Sequence, residues 1–216
     1  TVINPFSKSA CGSTFLAGIS EIENAITEAE RVKDQLECLP SYQRSEILSA
    51  ISAKLADHKD LVASVISAES AKPLKLALAE VDRSAQVFRI AAEECKRIPV
   101  ENISLDWTAA GTAKQGMVRY FPAGIVLGIT PFNFPLNLVA HKIAPAIAAG
   151  CPIIIKPSSS TPLSALLLAS IIDETNLPKG SVSVLPSKHE DIQPLFEDER
   201  IAVISFTGSP AAGWKI

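Results

Sequence analysis

From about residue 117 onward, short apolar runs rich in Ile and Val alternate with longer stretches of helical periodicity, and this alternation constrains the fold more than any other feature of the chain. The runs at 117–121, 125–130, 153–156, 182–185 and 201–206 read as strands, and 136–149, 163–175 and 191–196 as helices between them. Short β-branched runs separated by helices imply a parallel, doubly wound sheet, because each helix returns the chain to the same end. In such sheets ligands bind beyond the carboxyl ends of the strands, so the residues that follow each run come first.

Those residues are polar and turn-forming. "TPFNFP", "KPSSSTP", "PSKHED" and "TGSPAAG" follow the runs that end near 130, 156, 185 and 206. Asn133 places a bare amide between two phenylalanines and two prolines, where it costs free energy unless it finds a partner, either backbone or substrate. Lys156 closes an otherwise apolar strand, which argues for an anionic or hydroxyl-rich ligand. The "SSSTP" after it opens a helix whose free N–H groups favour hydroxyls and anions, although Ser160 or Thr161 could simply cap that helix. Gly208 and Gly213 bracket "GSPAAG", with Ser209 suited to a helix cap and Pro210 to the first turn; this is a candidate phosphate cradle that lacks the G-x-G-x-x-G spacing. Together the strand ends make a nucleotide-binding crevice.

The first half reads as helices. Ser20 and Glu23 have capping-box spacing ahead of Ile22, Ala25, Ile26, Ala29, Val32 and Leu36, so a helix is expected to start near Ser20. Further apolar sets follow Pro40, begin near Leu61 and follow Pro73, and all four helices read as scaffold.

Composition excludes several classes. With 47% hydrophobic and 20% charged residues the chain lies outside the disordered class, and a net charge of -3 with dispersed Lys and Arg offers no face for nucleic acid. Cys11, Cys38, Cys95 and Cys151 form no C-x-x-C pair and no ligand spacing with the histidines, so no disulfide framework and no metal site are expected, and the compartment reads as reducing and cytoplasmic. The N-terminus lacks a signal-peptide pattern. Prolines and polar residues interrupt 124–155, leaving no run of the ~20 apolar residues a membrane span needs.

"PFNFP", "KPSSSTP" and "FTGSPAAG", in that order and separated by βα units, resemble the aldehyde dehydrogenase superfamily, and "INP", "AESAKP" around Lys72 and "LPKGSVSVLP" agree with it. The ending "ISFTGSPAAGWK" looks most like the group of non-phosphorylating glyceraldehyde-3-phosphate and lactaldehyde dehydrogenases. The resemblance implies an α/β fold in which N-terminal helices precede a doubly wound, Rossmann-like parallel sheet, truncated. Residues 1–98 would be the helical scaffold of the coenzyme domain, 99–121 the strand region of an oligomerisation arm, and 122–216 an incomplete nucleotide-binding portion.

In that family a cysteine thiolate attacks the aldehyde, hydride passes to a nicotinamide, and a glutamate activates the water that hydrolyses the thioester. By motif position Asn133 would donate its amide N–H to the tetrahedral oxyanion. Lys156 would hydrogen-bond the adenosine ribose, Ser158 and Ser159 would join it, and Gly208 and Ser209 would lie by the pyrophosphate. Thr130 and Pro131 would supply backbone contacts near the nicotinamide, with Phe132 lining the passage. Many relatives preferring NAD have glutamate where this chain has Ser159, and glycine where it has Ser187, so NADP or NAD is the expected cofactor. The implied partner is a small aldehyde, with homo-oligomerisation once complete.

The nucleophilic cysteine and the glutamate come later in the family than Ile216, so the isolated chain is expected to be inactive. Cys151, in "AAGCPIII", reads as an inert core thiol. A non-catalytic nucleotide-binding or interaction module on the same scaffold is the alternative.

Overall fold

The computed structural model describes residues 1–216. An antiparallel pair, β1 (Val2–Ile3) and β2 (Ala10–Gly12), precedes helices α1 (Ile19–Glu37), α2 (Ser41–Asp57), α3 (Lys59–Ser70) and α4 (Leu74–Glu94). A two-stranded antiparallel ribbon follows, β3 (Val100–Ser104) and β4 (Gln115–Arg119), with Val100, Met117 and Val118 exposed on it. The alternating half then runs β5 (Ile125–Ile129), α5 (Asn137–Ala149), β6 (Ile153–Lys156), α6 (Leu163–Asp173), β7 (Val182–Val184), α7 (His189–Ile192) and a 3-10 turn at Gln193–Phe196. It finishes with β8 (Ile201–Phe206) and α8 (Pro210–Gly213).

The four later strands form one parallel sheet in the order β7-β6-β5-β8. Side chains alternate across it, as the period of two requires. Ile153 and Ile155 enter a core shared with α2 to α6, while Ile154, Ile125 and Leu127 enter a second core with α1 and the segment around Ile192 and Leu195. Helices on both faces explain why the strands read as continuous apolar runs. The doubly wound architecture follows from the alternation that the sequence displays.

The N-terminal helices pack through the apolar positions expected of them, for example Ile22, Ala25, Ile26, Ala29, Val32 and Leu36 on α1. The start of α1 differs from the sequence expectation. Gly18 is the N-cap, and its N–H donates to Glu21 at 2.9 Å, so the box lies two residues earlier than Ser20 and Glu23. Glu23 faces Arg200 instead, accepting from its guanidinium at 2.6 and 2.9 Å and fastening α1 to the entry of β8.

No helix is long and apolar enough to cross a membrane.

Candidate functional site

The carboxyl ends of β5, β6 and β8 lie side by side. Thr130 N–H donates to the Lys156 carbonyl at 3.2 Å, and Thr207 N–H donates to the Ile129 carbonyl at 3.0 Å, which joins the three exits. A groove of about 580 Å³ opens beside them, lined by Phe132, Asn133, Ser160, Thr161, Lys72 and Glu69 among others. The loops after β5 and β6 thus meet residues from the helical half. Gly208 and Ser209 do not line this groove; they lie beyond β8, where Ser209 Oγ accepts from Ala212 N–H at 3.3 Å and caps α8.

Asn133 is exposed in the turn that leads into α5. Its Oδ1 accepts the N–H of Phe134 at 3.1 Å and its backbone carbonyl accepts Lys72 Nζ at 2.9 Å. Both oxygens are therefore engaged, while the Nδ2 donor has no protein acceptor. Phe132, 63% exposed, stands next to it.

The first four helices read as scaffold from their apolar spacing, yet two of them place carboxylates at the start of the helices that follow β5 and β6. Glu80 on α4 accepts the N–H groups of Leu136 and Asn137 at 3.0 and 3.1 Å and pairs with Lys72 through its other oxygen. Glu69 on α3 accepts Leu163 N–H at 2.6 Å, Ser164 N–H at 3.1 Å and Ser164 Oγ at 2.5 Å. The α6 cap is thus Glu69, where Ser160 or Thr161 had been the local candidates; Thr161 Oγ1 is buried with no partner. Burial holds the Glu69 carboxyl above its ordinary range, against the lowering effect of the bonds from Ser164 and Leu163. Both helix starts already hold a carboxylate, so neither is open to a further anion. A clue existed in the sequence, since Glu69 and Glu80 occupy core-facing positions beside Ile66 and Ala77.

Two buried lysines behave differently. Lys142, in the apolar α5, donates to Ser205 Oγ at 2.9 Å and Thr207 Oγ1 at 3.0 Å. Gly128 gives it room, because a Cβ there would stand 2.5 Å from Ile155 Cδ1 and 3.1 Å from Lys142 Cδ. Lys156 is 9% exposed at the end of β6, and its Nζ makes no hydrogen bond or ion pair within the protein. Burial pushes the pKa of both downward. The stem of Lys156 is buried while its Nζ still reaches solvent, so the ammonium is only partly desolvated and has no acceptor on the protein.

Polar groups without partners surround these exits. Thr130 Oγ1 and Ser187 Oγ, at the exits of β5 and β7, are buried without partners, as Thr161 Oγ1 is. Ser158 Oγ and Ser160 Oγ are 3.0 Å apart, and Ser159 is exposed with no side-chain bond. Pro131 is half-buried beside them. Gly208 has a packing reason of its own: a Cβ there would fall 2.4 Å from Phe206 Cζ, so glycine lets that ring lie under the loop.

The family model described as "Aldehyde dehydrogenase family" matches residues 1–216. The chain belongs to the aldehyde dehydrogenase family. It is 38% identical over 217 residues to a lactaldehyde dehydrogenase of Methanocaldococcus jannaschii, an alignment that covers 98% of this chain and 46% of that one. Among solved structures it is similar to aldehyde dehydrogenase 21 from Physcomitrella patens in complex with the reaction product succinate, with a TM-score of 0.96 and 41% identity over 99% of this chain and 45% of that one. It is also similar to glyceraldehyde-3-phosphate dehydrogenase GapN from Methanocaldococcus jannaschii complexed with NADP, with a TM-score of 0.91 and 37% identity over 99% and 47% of the two chains. The chain therefore spans less than half the length of these relatives.

Proposed function

We infer that this chain supplies the coenzyme site and the oxyanion donor for NAD(P)-dependent oxidation of a small aldehyde to its acid, the cysteine nucleophile and glutamate base lying outside this sequence. The observation that carries the reading is the state of Asn133: its two oxygens are tied to Phe134 and Lys72, and its Nδ2 is left as a free, fixed donor beside the strand exits. An uncharged dipole stabilises negative charge as it develops on the carbonyl oxygen, without holding a carboxylate product tightly.

When bound, the coenzyme supplies the hydride acceptor. Lys156 would hold its ribose oxygens and gain the acceptor it lacks, with Ser158 and Ser159 adding hydroxyl contacts. Thr130 and Pro131 would bound the nicotinamide end, with Phe132 over the passage, and Gly208 and Ser209 would flank the phosphates. The four unpaired cysteines suit a reducing compartment such as the cytoplasm.

Arg83 supports an anionic substrate class. Its guanidinium carbon lies 5.7 Å from the Phe134 ring centroid, and it forms no ion pair. The pKa of His141 is lowered by burial first and by the charges of Arg83 and Lys142 next. A free cation beside the Asn133 turn favours aldehydes whose far end is anionic. Succinate in the complex of the Physcomitrella relative, and the phosphate in the name of the GapN relative, have that character.

Coenzyme choice provides the experiment. Ser159 leaves room for the 2′-phosphate of NADP, whereas a glutamate would repel it and accept from both ribose hydroxyls of NAD. Ser159→Glu should move the ratio of kcat/KM for the two coenzymes toward NAD by about tenfold, roughly 1.4 kcal/mol. An unchanged ratio would show that Ser159 does not read the 2′ position. Absence of aldehyde-dependent coenzyme reduction by the full-length gene product would defeat the function itself.

A further inference from the structure

Lys72 and Glu80 form an ion pair below the Asn133 turn. The Glu80 side chain is fully buried and that of Lys72 is 14% exposed. Desolvating two charges costs as much as their attraction returns, so such a pair contributes little to stability compared with apolar residues of similar size. Its contacts indicate another role. Glu80 grips Leu136 and Asn137 on the far side of the turn, at 3.0 and 3.1 Å, while Lys72 grips the Asn133 carbonyl at 2.9 Å. Lys72 Nζ also stands 4.2 Å from the Phe134 ring centroid, which fixes the residue whose N–H holds Asn133 Oδ1. The turn is held at residues 133, 134, 136 and 137 by two side chains from a different part of the chain.

We propose that Lys72 and Glu80 are positioning residues for the oxyanion donor, fixing the Asn133 backbone so that Nδ2 is aimed before substrate arrives. This rests on the reading of Asn133 as that donor. The amide cannot be aimed by Phe134 alone, because a bond between adjacent residues lets the whole turn swing. Lys72 removes that freedom by holding the carbonyl from outside the turn, and Glu80 keeps Lys72 in place. A shift of about 1 Å in a catalytic group lowers rate by around a hundredfold while leaving ground-state binding nearly intact.

The test uses the double variant Lys72→Met with Glu80→Gln, in which Gln keeps an oxygen for Leu136 and Asn137 and no charge is stranded. In the full-length gene product kcat should fall between about tenfold and a hundredfold, with KM and the melting temperature little changed. In an Asn133→Ala background the same pair should cost nothing further, because the donor it aims is gone. Side-chain NMR order parameters should show the Asn133 Nδ2 group rigid in the parent and mobile in the double variant. Equal losses of kcat in both backgrounds, or an Asn133 amide that stays rigid, would overturn the proposal and leave the pair as scaffold. A parent without aldehyde oxidation would sink the functional reading, and the order parameter alone would then decide the positioning. Should the double variant not fold, Lys72→Arg keeps a cation against Glu80 but replaces the point donor by a planar fork. It should lower kcat only when Asn133 is present, and an unchanged kcat would overturn the proposal.

Discussion

Replacing Asn133 by alanine in the protein expressed from its full reading frame should lower turnover by roughly 10²–10³, equivalent to about 2.7–4 kcal/mol of oxyanion stabilisation, with coenzyme affinity nearly unchanged. The expectation rests on the free Nδ2 and on the isolation of the side chain from the fold. Apart from the Phe134 N–H, no protein group depends on its amide. Steady-state kinetics and coenzyme titration of the same preparation check this. If stability and coenzyme binding fell together with the rate, Asn133 would be a structural amide that ties down the turn.

The largest effect on stability should come from Glu80→Ala. That substitution strands the Lys72 ammonium below the turn and removes the acceptor of two buried N–H groups at the start of α5. Breaking a buried pair in this way costs about 3–5 kcal/mol. Urea denaturation should show the midpoint falling with little change in slope. A loss below about 1 kcal/mol would mean that water or a neighbouring group replaces Glu80 readily.

Glu80→Ala and the Lys72–Glu80 double variant should behave differently. The first leaves a charge unpaired, whereas the second removes the charges and keeps the acceptor.

The parts that were legible in the sequence are those whose physics is local. A run such as Ile153–Lys156 sees apolar neighbours on both faces, so its composition alone reports a central strand, and Lys156 stands out because it closes that run. Asn133 was visible as an amide among aromatic residues and prolines. Glu80 and Glu69 were not, because their partners lie 56 and 95 residues away and nothing near them in the chain shows what a buried acid would cap. The same holds for Glu23, which capping-box spacing assigned to the start of α1 but which is taken by Arg200, 177 residues further on. Lys142 lies on a helix whose apolar pattern reads as core, and only the arrival of β8 brings the hydroxyls of Ser205 and Thr207 to it.

Chemistry at the strand exits therefore depends on side chains delivered from helices that carry no recognisable site motif. Glu69 and Glu80 occupy the anion-binding ends of α6 and α5, so the cation proposed to meet the coenzyme there is Lys156, whose Nζ has no acceptor on the protein.

Titration of NADP into the 15N-labelled protein, followed through backbone amide shifts, tests that placement without relying on turnover. Shifts should concentrate at residues 130–133, 156–160 and 207–213, and Lys156→Met should weaken them about tenfold or more in apparent affinity while the fold stays intact. Shifts absent from those three segments, or equal affinity in the Lys156→Met protein, would contradict a coenzyme site at the strand exits.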